Sequence, residues 1–384
     1  MQKAIANRSL CSMDQEGEEM KVEMRDFTKE EFHKYLIDNF SSIFEEETRD
    51  AATRVKWMKI YCLLVSREGW QSRVFHPDEI TMMGEVIRFA PKEGEDQDGQ
   101  RTDEPEEYYI VEYKPGLLLM FTSASNETYH KDLGRRIRRS RGITPMWMHP
   151  EVFDNFWHSI LTDTDGIVYY FAARRDPGDE AYCKVRPHIK RRLNYTGDDT
   201  KLAMEELREL YGVTPEVVYV EAENNLKLHI SNNGLFSAQR ATEDVLALFY
   251  RHLDQISKSV LQLREIASDI RMDFISENNL RFPSIEAGVI TLSAPLFDEA
   301  AAERMRSSIE GFSFIDVHTE IGSISLTATV VDDNKRCVFS VNATEDRIVV
   351  VPKFRTTFES FISFYRGVVE TVDAGANFDL LRVE

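Results

Sequence analysis

The sequence predicts an α/β chain that ends in an α+β module. Its parts, in order, are a helical N-terminal part, a central mixed and partly parallel sheet with covering helices, a long spine helix, and a C-terminal antiparallel sheet with two helices. Three observations carry this reading. First, Leu246, Phe249, Leu253, Ile256, Val260, Leu263, Ala267, Ile270 and Phe274 recur at spacings of three and four, an a/d stripe along one helix face. Second, strand-like and helix-like stretches alternate between residues 117 and 172, the order of a βαβ series. Third, Ile324, Leu326, Ala328 and Val330 alternate with polar residues, as in a sheet with one wet face. The length calls for two or three domains. The expected divisions are a loose tail over 1–25, a helical unit over 26–70, a central domain over 71–235, the spine over 236–280 and the C-terminal module over 281–384.

Each element has its own signal. Residues 1–25 are polar and acidic and are expected to be disordered or loosely attached. Thr28 and Glu31 form a capping-box pair that opens a helix carrying Phe32, Tyr35, Leu36, Phe40 and Phe44 on one side. A second helix is expected over 48–65, where Val55, Trp57, Met58, Ile60, Tyr61, Leu63 and Leu64 cover most faces. Residues 92–107 make an acidic connection between short stretches at 85–90 and 108–113. Pro115-Gly116 then turns the chain into a strand at 117–122. A helix over 126–140 follows, with Gly134 as its weak point. Next come a short strand at 146–148, a helix at 150–161 with Phe153, Phe156, Trp157 and Ile160 as its core face, and a strand at 167–172.

A helix over 199–211 stops at Gly212. Strands at 217–221 and 226–230 lead through Asn232-Asn233-Gly234 to the spine. Thr242 can cap the spine, and Glu243 and Asp244 suit its positive end. Running over 242–275, it would span roughly 50 Å. Beyond it the signals are a strand at 288–293, a helix at 297–309, strands at 313–318, 323–331, 336–342 and 347–351, and a closing helix at 356–372.

Composition narrows the function classes. Hydrophobic residues make up 42 % of the chain, enough for real cores. No apolar run approaches the 18 or so residues of a membrane-spanning helix, so no membrane partner is expected. The polar N-terminal stretch has no signal-peptide core, which points to a cytoplasmic protein. Cys11, Cys62, Cys183 and Cys337 stand far apart, without a CxxC pair, which argues against a zinc site or disulfide framework. The net charge of −19 argues against indiscriminate nucleic-acid binding but leaves room for a local basic surface.

That surface is the strongest functional signal. Residues 131–192 hold thirteen Lys/Arg against eight Asp/Glu, a net of +5, so the rest of the chain carries −24. One cluster is Lys131, Arg135, Arg136, Arg138, Arg139 and Arg141. At helical pitch Tyr129, Leu133 and Ile137 point inward, Arg135, Arg138 and Arg139 spread over the opposite face, and Arg136 sits at the edge of the apolar side. The other cluster is Arg186, His188, Lys190, Arg191 and Arg192. Guanidinium forks match phosphate oxygens, so two such clusters brought together could hold a DNA or RNA backbone. Solvated helix faces and neutralisation by the acidic loop are the plainer uses of the same residues.

The spine offers a second reading. Phe249, Leu253, Ile256, Val260, Leu263 and Ile270 could form a coiled-coil seam with a second copy or another protein, or could pack on the chain's own sheets. A third reading is chemical. Glu112-x-Lys114 resembles the end of the acidic–ExK signature of a class of metal-dependent nucleases, with Asp96, Asp98 or Asp103 as the upstream acid. No phosphate-binding glycine loop, GxSxG elbow or HExxH helix is present, and no cofactor is called for. The sequence therefore favours an intracellular binding or assembly protein that contacts nucleic acid through 131–192. A scaffold built on the spine and a nuclease using Glu112 and Lys114 are the alternatives.

Overall fold

The protein is described here by a computed structural model covering residues 11–13, 19–21, 27–47, 57–66, 69–91, 107–175, 183–186, 189–222, 226–239, 242–277, 280–293, 298–320 and 325–381. It is a mixed α+β molecule built on antiparallel sheets. In the stretch expected to be a loose tail, β1 (Cys11–Met13) and β2 (Glu19–Lys21) form a short antiparallel hairpin. Helix α1 (Lys29–Glu47) starts at the capping box read from the sequence. The Glu31 amide donates to Thr28 Oγ1 at 3.3 Å, and the Thr28 amide donates to Glu31 Oε2 at 2.9 Å. Phe32 and Leu36 are fully buried. Phe40 and Phe44, expected on the same face, lie outside the described side chains.

The helix expected over 48–65 is not there: its second half is strand β3 (Met58–Val65), and 48–56 lie outside the described residues. The cause is visible in the packing. Met58, Ile60, Cys62 and Leu64 join one core cluster, while Tyr61, Leu63 and Val65 join another. A strand covered on both faces shows no polar–apolar alternation, so its apolar run reads equally well as a buried helix.

The remaining elements of the first half are α2 (Gln71–Val74), β4 (Ile80–Met83), β5 (Val86–Phe89), β6 (Tyr108–Lys114) and β7 (Leu117–Thr122). Then follow α3 (Asn126–Tyr129), a single π turn (His130–Gly134), α4 (Arg135–Arg139), β8 (Ile143–Pro145), α5 (Pro150–Asp163) and β9 (Ile167–Arg175). The acidic connection at 92–106 lies outside the described residues. The central part closes with β10 (Arg191–Thr196), α6 (Thr200–Tyr211), β11 (Thr214–Ala222), β12 (Leu226–Ser231) and β13 (Leu235–Ala238).

These strands make one large sheet in the order β10-β9-β11-β12-β13-β3-β7-β6-β5-β4, with β8 also on β3. The partly parallel sheet expected from the βαβ series is not found: every ladder between these strands is antiparallel. β7 and β8 do run in the same direction, as the helical crossover between them requires. However, β3 lies between them and is antiparallel to both. A strand contributed from earlier in the chain splits the unit, and local order could not announce that.

Helix α7 (Glu243–Asp269) is the spine, capped by Thr242 Oγ1, which accepts from the Val245 amide at 3.3 Å. It is shorter than expected and spans about 40 Å. The stretch read as its last turns is β14 (Arg271–Glu277), a hairpin with β15 (Leu280–Glu286), and Phe274 is 58 % exposed rather than buried in the stripe. The rest of the stripe faces the chain itself. Phe249, Leu253, Ile256, Val260 and Ile270 are buried in the main core cluster, and Leu263 packs against it half-buried. Among the described residues the candidate seam therefore packs mainly within one chain.

The C-terminal module comprises β16 (Gly288–Thr291), α8 (Glu299–Ser308), β17 (Phe312–Glu320), β18 (Ser325–Asp332), β19 (Cys337–Ala343), β20 (Arg347–Phe354), α9 (Phe358–Thr371) and β21 (Asn377–Leu380). Its sheet runs β17-β18-β19-β20-β16-β21, antiparallel throughout. Leu326, Ala328 and Val330 point into the core, as their alternation predicts, with Phe339, Val341, Ile348 and Val350 beside them. The same apolar cluster runs unbroken from the central sheet through α7 to this module.

Candidate nucleic-acid interface

The basic helix is built by ordinary local rules. Ser125 Oγ accepts from the Thr128 amide at 3.0 Å and so starts α3. Tyr129, Leu133 and Ile137 are buried against the sheet. Gly134 closes the π turn, and a Cβ there would stand 3.0 Å from His130 Nδ1. The sequence singled out that glycine as the weak point, and the ladder does widen there. Such single π turns are frequent at functional sites. The helix end is fixed from the C-terminal module. The buried Lys335 ammonium donates to Ile137 O at 3.0 Å, to Ile143 O at 3.1 Å and to Ser140 O, satisfying carbonyls at the negative end.

The ten basic residues singled out in the sequence separate into different roles. Arg136 is structural: Nη1 donates to Glu79 Oε2 at 2.6 Å and Nη2 to Glu79 Oε1 at 3.0 Å, and the guanidinium lies over the Phe89 ring. The Arg136 hydrogen bonds hold the buried Glu79 carboxyl below its usual range. Arg141 donates to Lys335 O and Arg336 O at 2.9 and 3.0 Å, tying the C-terminal module down. Arg191 donates to Val185 O at 2.9 Å and Arg186 O at 3.1 Å and stacks on Tyr211. Lys131, Arg135, Arg139 and Arg186 are exposed. His188 lies outside the described residues.

Arg138, Lys190 and Arg192, from both sequence clusters, line one cleft of about 720 Å³. All three are exposed at its mouth. Its wall includes Tyr129, which stacks on Tyr61 with ring centroids 3.9 Å apart, and Asn126, whose Oδ1 accepts from the Tyr61 hydroxyl at 3.3 Å. Burial drives both phenol pKa values up, so the hydroxyls stay neutral. The opposite wall comes from α9. There Arg366 Nε donates to Glu370 Oε1 at 2.7 Å, and Glu370 also pairs with Arg174, which reaches Glu216 Oε1 at 3.1 Å. Burial raises the Glu216 carboxyl. Arg174 and Arg366 were not among the sequence candidates. Arg366 stands among neutral neighbours, and Arg174 sits in an Arg-Arg pair outside the two dense clusters, almost 200 residues away, so neither belongs to a cluster that marks it.

The other chemical constellations lead elsewhere. Lys114 is bound to Asp254 of α7 and donates to Ser257 Oγ at 2.8 Å, while Glu112 Oε1 accepts from the Gly116 amide at 3.3 Å and closes the β6–β7 turn. Asp96, Asp98 and Asp103 lie outside the described residues. Among the described residues there is no group of three or more His, Cys, Asp or Glu placed to hold a metal. Ser159, His252 and Asp163 stand in a row, with 2.9 Å from Ser159 Oγ to His252 Nδ1 and 3.3 Å from His252 Nε2 to Asp163 Oδ2. Ser159 Oγ, however, donates to Phe156 O at 2.8 Å, so it accepts from the ring and is not poised as a nucleophile. This row ties α5 to α7. Cys62 and Cys337 are buried, and burial pushes their thiols up to about 12 and about 11, which keeps them protonated. Among the described residues no helix is long and apolar enough to cross a membrane.

Residues 153–233 match the model of one protein family, the AF_0896_M family middle domain. That stretch runs from α5 to the turn after β12 and carries Arg174, Lys190 and Arg192, but not the helix that bears Arg138. No curated protein and no solved structure matches the chain.

Proposed function

We propose that the chain is an intracellular nucleic-acid-binding protein whose cleft between α4, the β9–β10 hairpin and α9 takes a sugar–phosphate backbone. One observation carries the reading: Arg138, Lys190 and Arg192, separate in sequence, line the same cleft. Like charges that converge at an open mouth repel one another, and a polyanion relieves that repulsion. The volume of the cleft is that of a small-ligand site, too small to enclose a duplex, so a single strand or a frayed end is the fitting ligand. The charge of −24 on the rest of the chain serves selectivity, because it repels nucleic acid everywhere else. The role is binding rather than catalysis, in the cytoplasm, and assembly with other proteins falls to surfaces other than the buried stripe of α7.

Fluorescence anisotropy with a mixed pool of labelled single-stranded DNA and RNA tests this. Affinity is expected to drop steeply between about 50 and 200 mM salt. Arg138→Glu with Arg192→Glu should weaken binding at least tenfold and flatten the salt slope. Unchanged affinity in that double variant would remove the cleft from the binding surface. Salt-independent binding would remove the backbone reading.

A further inference from the structure

A second cationic recess adjoins the cleft, with Asn334 and Lys335 in the lining of both. Its volume is about 910 Å³, and its lining carries Arg73, Arg139, Arg141, Arg336 and Arg355. Asp333 is the single carboxylate in that lining, and it accepts from Ser313 Oγ at 2.9 Å. Arg141 is held by the backbone carbonyls of Lys335 and Arg336, which leave its charge in place. Arg355 lies over the Phe354 ring, 5.0 Å from its centroid. Arg73, Arg139, Arg336 and Arg355 are exposed, and among the described residues no carboxylate forms an ion pair with them.

Two further features concern the same recess. Arg336 and Arg355 have φ of +54° and +52°, the left-handed region that non-glycine residues avoid. Thr357 stands at the N-cap of α9 but makes no side-chain cap bond, and its Oγ1 is buried with no hydrogen-bond partner among the described residues. Five guanidinium groups, two of them on strained backbone, thus converge beside an unused hydroxyl and a positive helix end. Guanidinium forks and a helix N-terminus both favour phosphate oxygens.

We infer that this recess, whose five arginines are none of those lining the cleft, is an anion site that binds a small ligand carrying two or more linked phosphate groups. Its residues come from α2, the end of α4 and the turn after it, the β18–β19 turn and the β20–α9 connection. A bound polyphosphate would therefore bridge the central sheet and the C-terminal module and stabilise the pair by mass action. The inference does not rest on the nucleic-acid reading of the cleft.

The probe is inorganic tripolyphosphate, with binding followed by calorimetric titration and by the shift in Tm of the full chain. The test variant is Arg336→Gly with Arg355→Gly, which removes two charges where glycine adopts the backbone freely, so its Tm without ligand should equal or exceed that of the parent. Expected are saturable binding and a raised Tm in the parent, with affinity at least tenfold weaker in the variant. Arg138→Gln with Arg192→Gln should bind tripolyphosphate within twofold of the parent. The inference is overturned if tripolyphosphate does not saturate, if the glycine variant binds as well as the parent, or if the cleft variant is the one that loses it. A single-stranded oligonucleotide is the second arm. Its affinity should be unaffected in the glycine variant, and a tenfold loss there would make the recess part of a nucleic-acid path instead. Failure of the oligonucleotide to bind the parent at all would count against the cleft alone.

Discussion

Arg136 and Arg138 are two residues apart, yet one holds the fold together and the other faces the cleft. The difference is the angle of about 200° between them on the helix, which turns Arg136 toward the sheet and Arg138 away from it. Glu79 is 8 % exposed and receives both Arg136 hydrogen bonds. A carboxylate so buried and so paired is costly to leave alone. The exposed side of Arg136 softens that cost, so Glu79→Gln should destabilise the chain by about 2 kcal/mol near neutral pH. The sign of the pH dependence follows from the Arg136 pairing, which lowers the folded-state pKa of Glu79. Its stabilising effect is fully present above the unfolded value of roughly 4.3 and fades as pH falls through the folded value. Urea midpoints of parent and Glu79→Gln should therefore differ at pH 7 and converge at acidic pH. A gap that stayed constant down to the acid transition would mean that the carboxylate charge is not what stabilises the contact.

Helix α7 shows what an amphipathic pattern does and does not specify. Ile256 is 6 % exposed, and α7 packs on α5, α9 and β21. A charge at Ile256 would meet apolar side chains of the same chain, so Ile256→Asp should cost about 3–5 kcal/mol and unfold or aggregate the protein. Light scattering and circular dichroism decide the matter: a folded, smaller species from Ile256→Asp would mean that the helix does join subunits. The period of three and four located this helix in the sequence because it reports burial along one side. It could not say whose surface covers that side. The C-terminal sheet was legible for a related reason, since Leu326, Ala328 and Val330 have one dry face and one wet one. β3 was not legible, because both of its faces are dry. Of the cleft, the sequence displayed Arg138, Lys190 and Arg192 through local charge density. Arg174 and Arg366 were silent, because what makes them part of the wall is a contact with Glu370 formed only after folding.

At the scale of the molecule, both cationic sites lie where the helix after β7 meets the C-terminal module, so their geometry depends on how firmly that joint is held. A chain of this length ordinarily divides into units that unfold separately. Here one apolar cluster passes from the large sheet through α7 to α9, and the buried Lys335 closes the joint on the other side. Lys335 sits in the β18–β19 turn, and its ammonium binds three carbonyls at and just beyond the end of α4. Replacing it with methionine keeps the length of the side chain and removes every donor, leaving buried carbonyls without partners at a cost of about 2–4 kcal/mol. Because the apolar cluster is shared, this loss should lower a single calorimetric transition rather than split it. The parent should likewise unfold in one step, with the calorimetric and van't Hoff enthalpies equal. If Lys335→Met instead resolves two transitions, one of them at the parent's temperature, then the C-terminal module is an independent unit pinned by that one side chain. The cleft and the recess would then open together whenever the pin is released, and both anion affinities should fall in step in the same variant.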